Sequence, residues 1–152
     1  MDAGVYIEML MRKLIGAAAL AVASVAYAAG LPEIEVWKDP NCGCCSKWIS
    51  HLRASGFRVT AYNTANVANA REKLGMPHRY AACHTARVGD YIVEGHVPAS
   101  DIKRLLKDQP EAIGLSVPGM PMGSPGMEGP YSEPYQTLLV DQDGNTSVFA
   151  NH

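Results

Sequence analysis

Ile34-Glu35-Val36-Trp37-Lys38-Asp39-Pro40-Asn41-Cys42-Gly43-Cys44-Cys45-Ser46-Lys47-Trp48-Ile49-Ser50-His51-Leu52 is the stretch on which the reading of this chain turns. Residues 34–38 alternate apolar and polar side chains, the two-residue period of a strand with one covered face. Asp39-Pro40-Asn41 is a turn cluster that ends it. Three cysteines then crowd into four positions. From Ser46 to Ala54 the apolar residues Trp48, Ile49 and Leu52 recur at helical spacing, and Ser55-Gly56 supplies the stop. Residues 57–62 alternate again. Strand, helix and strand in succession form a β-α-β unit, whose two strands should run parallel.

Working outward from that unit, Asn63 to Asn66 can cap a second helix over 67–74, closed by Gly75. A third strand is expected over 81–88, a tight turn at Gly89-Asp90, and a fourth strand over 91–94, the pair forming a hairpin. A third helix is expected from Val97 through Leu106, with Ser100 or the loop before it as cap. The texture changes after Pro110. Residues 114–135 are rich in Gly, Pro and Met, show neither period, and are expected to form one long irregular loop. Residues 136–140 and 146–149, joined by the turn Asp141-Gln142-Asp143-Gly144, should close the chain as a C-terminal hairpin. The order β-α-β-α-β-β-α predicts an α/β fold with a thioredoxin-like core.

The N-terminus reads as an export leader. Arg12 and Lys13 precede an apolar run over 14–25, too short to span a bilayer comfortably, and Ala26-Tyr27-Ala28 has the small-x-small form of a cleavage site. Residues 1–28 are therefore expected to be a signal peptide, with Met9 or Met11 as alternative starts. Residues 29–152 are the expected mature domain, free of the membrane and located in the periplasm. A net charge of −2 and an aromatic content of 7% give no footprint for nucleic acid.

All four cysteines, Cys42, Cys44, Cys45 and Cys83, fall in the mature part. A disulfide framework spreads its cysteines along the chain; this pattern concentrates them, as metal and redox sites do. A helix N-terminus offers unpaired N–H groups and the positive end of the dipole, both of which favour a thiolate. Cys42 and Cys45 have the C-x-x-C spacing of a redox pair and are the candidate catalytic residues of an oxidoreductase. Cys44 is surplus to that chemistry and points toward a soft metal. Cys83 should approach the cluster from the start of the third strand, either sharing one site of four thiolates or closing a disulfide. His84, next along a strand, should point to the opposite face and is a candidate ligand or an ordinary strand residue. Met120, Met122 and Met127 offer thioethers suited to Cu(I), or else plug an apolar gap. His96 is read as a surface, helix-start or peripheral ligand residue; Met76 and Trp48 are read as core. Asp141 and Asp143 are explained by their turn.

Asp39-Pro40-Asn41-Cys42-Gly43-Cys44-Cys45, Ala82-Cys83-His84-Thr85-Ala86, Glu94-Gly95-His96-Val97-Pro98-Ala99 and Gly114-Leu115-Ser116-Val117-Pro118-Gly119-Met120-Pro121 together resemble the CopG-like family of exported bacterial proteins, often found with copper-resistance determinants. The resemblance covers nearly all of the expected mature chain. It implies a thioredoxin-like fold and a thiolate-bridged, multinuclear Cu(I) cluster on Cys42, Cys44, Cys45 and Cys83, with copper ions and other periplasmic copper-handling proteins as partners. Thiol–disulfide interconversion linked to copper redox is the activity it implies. Three readings fit these residues: Cu(I) binding in copper resistance, a thiol–disulfide or copper oxidoreductase, and a zinc module of three cysteines with His84.

Overall fold

The computed structural model describes residues 30–152; the leader expected at 1–28 lies outside them. Seven strands form one mixed sheet with the order β2-β1-β3-β4-β5-β6-β7, where β1 is Ile34–Lys38, β2 Val59–Asn63, β3 His84–Val88, β4 Tyr91–Gly95, β5 Gly114–Val117, β6 Gln136–Val140 and β7 Thr146–Asn151. Among the described residues three helices, α1 (Gly43–Ala54), α2 (Val67–Leu74) and α3 (Ala99–Asp108), cover the sheet. The fold is thus mixed α/β. β1 and β2 are parallel, as the crossover through α1 requires; β3 runs antiparallel to β1, with Lys38 opposite His84.

Side-chain alternation along the strands divides the sheet between two apolar layers. Ile34 and Val36 of β1, Ala86 and Val88 of β3, Val93 of β4 and Leu115 of β5 pack with Trp48, Ile49 and Leu52 of α1 and Ile102 and Leu105 of α3. The other face carries a smaller cluster built on Met76, Ile92 and Val140. Trp48 and Met76 are buried, as expected of core residues. Trp48 also donates its indole N–H to the Val97 carbonyl at 2.9 Å, which ties α1 to the entry of α3.

Several boundaries differ from the sequence reading: β2 starts at Val59 rather than 57, and β3 starts at His84 rather than 81, which leaves Cys83 ahead of the strand; three further differences have a visible cause. First, α1 begins at Gly43 rather than Ser46, because Cys42 serves as its N-cap: the Cys42 sulfur accepts from the Cys45 N–H at 3.3 Å. Second, α3 starts after Pro98 with no side-chain cap from Ser100. The Ala99 N–H is taken instead by the Nε2 of His51 on α1, 3.1 Å away. Third, residues 114–117 are not loop. They form β5, wholly buried between β4 and β6. A strand covered on both faces shows no alternation, and Gly114 disguised it further. That glycine is demanded by packing, since a Cβ there would lie 1.7 Å from the Ile92 carbonyl oxygen. The irregular segment is therefore 118–135.

The C-terminal strands are fastened to the domain by Asp101 of α3. Its buried carboxylate accepts from Thr137 Oγ1 at 2.6 Å and from His152 Nε2 at 2.9 Å, and the His152 ring stacks on Tyr135. The irregular segment is thereby held between two fixed points, β5 and β6. Among the described residues no helix is long and apolar enough to cross a membrane.

Candidate metal and thiol centre

The turn that delivers the cysteines is braced from below. Lys38, at the end of β1 and itself buried, donates its ammonium to the carbonyls of Asp39 and Pro40 at 2.8 and 3.4 Å. The Asn41 N–H bonds the Asp39 carboxylate at 2.8 Å. The chain then turns directly into α1, so Cys42, Cys44 and Cys45 occupy the cap and first turn, where the unpaired N–H groups and the helix dipole favour negative charge. Their three sulfurs lie within 4.8 Å of one another. Cys42 and Cys45 are joined as a disulfide, with Cα atoms 5.4 Å apart, and the Cys44 sulfur stands 3.5 Å from that of Cys42. Cys45 is fully buried, whereas Cys42 and Cys44 are half-buried and reachable from outside.

Cys83 sits just before β3, half-buried and as a free thiol. Burial, followed by the neighbouring Cys44 thiol, pushes its pKa above the ordinary thiol value. On its other side, the Met120 thioether lies 2.8 Å from the Cys83 sulfur. Met120 reaches that position from a backbone at φ 54, following Gly119 at φ 78. The left-handed region is disfavoured for a side chain of this size, so the turn carries local strain where it brings the exposed thioether to the Cys83 sulfur.

The rest of the irregular segment folds against α1. Gly126, at φ 90, approaches so closely that a Cβ would lie 2.7 Å from the Cys44 carbonyl oxygen and 2.8 Å from the Trp48 nitrogen. Met127 donates its N–H to the Ser124 carbonyl and accepts from the Gly123 N–H; the Met122 carbonyl accepts from the Glu133 N–H, and the Met122 N–H donates to the Glu133 carboxylate. Met122 and Met127 thus close the loop, while Met120 meets a cysteine.

Two histidines lie deeper. His84 points into the α1 face of the sheet, with its ring 4.2 Å from that of Trp48 and its Nε2–H donated to the Gly95 carbonyl at 2.9 Å. His96 is fully buried rather than at the surface: the chain after β4 turns inward, and the His96 Nδ1–H bonds the Pro125 carbonyl at 2.7 Å. The rings are 5.2 Å apart, edge to face. His84 Nδ1 and His96 Nε2 have no protein partner. Burial drives the His84 pKa down to about 3, helped by His96, and lowers that of His96, so both rings stay neutral near pH 7.

Sequence reasoning passed over Arg71 and Glu94. Both are buried, and they form an ion pair at 2.7 Å beside Cys83. The one available signal was spacing: Arg71 shares the inward stripe of α2 with Val67 and Leu74.

A mixed α/β domain that gathers three sulfurs at a helix N-terminus, with a fourth thiol and a thioether alongside, defines a protein equipped to bind a soft metal ion. Comparison with known proteins agrees. Two solved structures, named Copper resistance protein copG, Form 2 and Form 1, are each 43% identical to this chain, with TM-scores of 0.76 and 0.75. The match covers 80% of this chain and 98% of each of theirs. The family model described as "Protein of unknown function, DUF411" matches residues 80–127, and no curated protein matches. The chain belongs to the CopG copper-resistance family.

Proposed function

We propose that this protein binds Cu(I) in the periplasm as part of copper resistance, holding it on the thiolates of Cys42, Cys44, Cys45 and Cys83 in a thioredoxin-like domain. The observation that carries the reading is the set of three sulfurs within 4.8 Å at the N-terminus of α1. The composition of the surrounding donors favours copper. Thiolate and thioether suit Cu(I), whereas zinc has little use for a thioether, and a zinc site built on His84 would leave Met120 without a role. Several sulfurs in one place, each able to bridge two ions, favour a multinuclear cluster over a single ion.

The Cys42–Cys45 disulfide supports a linked redox step and keeps the oxidoreductase reading in view. The disulfide cannot bind copper through thiolates; two electrons and two protons return both thiols. In reverse, oxidation of the two thiols to the disulfide releases two protons and two electrons, enough to reduce two Cu(II) to two Cu(I). Cys42, half-buried, is the sulfur open to an attacking thiolate, and Cys45 is the buried partner. Copper here is the cargo and the electron partner.

The test is metal content and thiol count on protein reduced and purified without oxygen, with and without Cu(I), beside a Cys44→Ser variant. Tight copper binding that consumes all four thiols, resists zinc and weakens in Cys44→Ser supports the cluster. Copper binding no better in the wild type than in Cys44→Ser, with disulfide exchange intact in both, replaces it with a plain dithiol oxidoreductase.

A further inference from the structure

Cys83 differs from the other three cysteines in how it is held. Cys42, Cys44 and Cys45 are fixed by the cap and first turn of α1. Cys83 lies in the short connection between the 3₁₀ turn His78–Tyr80 and β3, whose strand pairing with β1 and β4 begins only at His84 and Thr85. No strand ladder fixes the peptide groups of Ala82. Their partners are side chains instead. Arg71 Nη2 donates to the Ala82 carbonyl at 2.7 Å, and Glu94 Oε1 accepts the Ala82 N–H at 2.7 Å. The same Glu94 oxygen accepts from Arg71 Nε at 2.9 Å and Nη2 at 2.7 Å. One ion pair therefore grips both backbone groups of the residue that precedes Cys83. Ala82 is also backed by Gly95, where a Cβ would come within 3.0 Å of the Ala82 Cβ.

The location of this pair is informative. The Arg71 side chain is 5% exposed and that of Glu94 is 0% exposed. A buried ion pair seldom stabilises a fold more than apolar residues of the same volume would, because both charges must be stripped of water; what it offers is a fixed, directional arrangement. Here the arrangement ends on the backbone beside one particular sulfur, which meets that of Met120 at 2.8 Å and has Cys44 as a neighbour, outside the 4.8 Å group of Cys42, Cys44 and Cys45. Arg71 comes from α2, Glu94 from β4 and Cys83 from the connection that leads into β3, so three parts of the chain meet at this point.

We propose that Arg71 and Glu94 are positioning residues for Cys83: by clamping both peptide groups of Ala82 they hold the Cys83 sulfur beside Met120 and within reach of Cys44, and so admit it to the copper site. The clamp itself is independent of metal; its consequence for copper rests on the reading given above.

The test separates the two. In a background where Cys42 and Cys45 are replaced by Ser, only Cys44 and Cys83 keep thiols. Dibromobimane, which fluoresces when it bridges two adjacent thiols, then reports their closeness without copper. Replacing the pair by Arg71→Met with Glu94→Met removes the clamp while keeping apolar volume. The expected result is a folded protein whose bridging rate drops by about tenfold or more, in line with what an ångström of misplacement costs, while single alkylation of Cys44 by iodoacetamide is unchanged. In the otherwise native chain, the same double substitution should lower bound Cu(I) to the level of Cys83→Ser and give that variant's absorption spectrum. If the double variant does not fold, Glu94→Gln and Glu94→Ala carry the comparison: Gln keeps an oxygen for the Ala82 N–H and retains bridging, whereas Ala loses it. Wild-type bridging in a folded Met/Met or Glu94→Ala protein overturns the clamp. Wild-type copper binding that ignores Cys83 altogether overturns the copper reading and leaves the bridging result standing.

Discussion

The Met120 thioether and the Cys83 thiol, 37 residues apart in the chain, meet with their sulfurs 2.8 Å from each other. Of the three methionines in the irregular segment, Met120 is the one whose side chain is brought to a cysteine, and its backbone is held in the left-handed region to do so. Met120→Leu keeps the volume and removes the soft donor. We expect it to weaken Cu(I) binding by about tenfold, the equivalent of roughly 1.4 kcal/mol, in competition with a chromophoric Cu(I) chelator. Met122→Leu and Met127→Leu should stay close to wild type. Equal affinities for all four proteins would remove Met120 from the site.

The disulfide state sets the thiol count. With Cys42 and Cys45 bridged and Cys44 and Cys83 free, alkylation under denaturing conditions without reductant should modify two cysteines. After reduction all four should react, and mass spectrometry distinguishes the two outcomes. The oxidised form should also take up less Cu(I) than the reduced form, because a disulfide sulfur is not a thiolate ligand. Four modified cysteines in protein prepared in air would mean that the bridge does not persist, and equal copper uptake would detach redox state from binding.

The parts of this architecture that the sequence disclosed are those whose chemistry is local. Cys42-Gly43-Cys44-Cys45 announces itself within four residues, and the periods of β1 and α1 place it at a helix start. Cys83 could be drawn toward the cluster through the order of elements. The parts that stayed hidden depend on register between distant strands. Glu94 meets Arg71 across 23 residues because β4 pairs with β3 at Thr85 while α2 lies across that face. His96 is buried because Pro125, 29 residues later, folds over it. β5 was unreadable for a different reason: a four-residue strand buried on both faces has no period to detect, and its glycine looks like a loop residue until the Ile92 carbonyl is seen against it.

Gly126 is where the irregular segment seats on α1. A methyl group there would intrude on the Cys44 carbonyl oxygen and the Trp48 nitrogen, and the backbone is at φ 90, which side chains avoid. Gly126→Ala should therefore cost about 1–3 kcal/mol, the range for overpacking and a misfit backbone together, read as a lower urea midpoint with an unchanged slope. Gly129→Ala, where only the mobile end of Met122 would have to move, should cost less. Equal losses at the two positions would show that the segment does not dock through Gly126.

The buried histidines give the fold a pH dependence with a definite sign. The folded pKa of His84 is depressed to about 3, chiefly by burial, from the ordinary histidine value of 6.5. Between those limits the unfolded chain binds a proton that the folded protein refuses. The stability associated with neutral His84 is accordingly complete above about pH 6.5 and is lost as the pH falls toward 3, at about 1.4 kcal/mol per pH unit. From pH 6.5 to pH 5 that amounts to about 2 kcal/mol for this one group; His96 and His51, whose pKa values are also lowered by burial, act in the same direction. His84→Phe keeps a flat ring against Trp48 but forfeits the hydrogen bond to the Gly95 carbonyl, so it should be less stable than wild type at pH 7. Its urea midpoint should nonetheless fall less between pH 7 and pH 5, since Phe cannot take up the proton. Parallel declines in the two proteins would assign the acid sensitivity to groups other than His84.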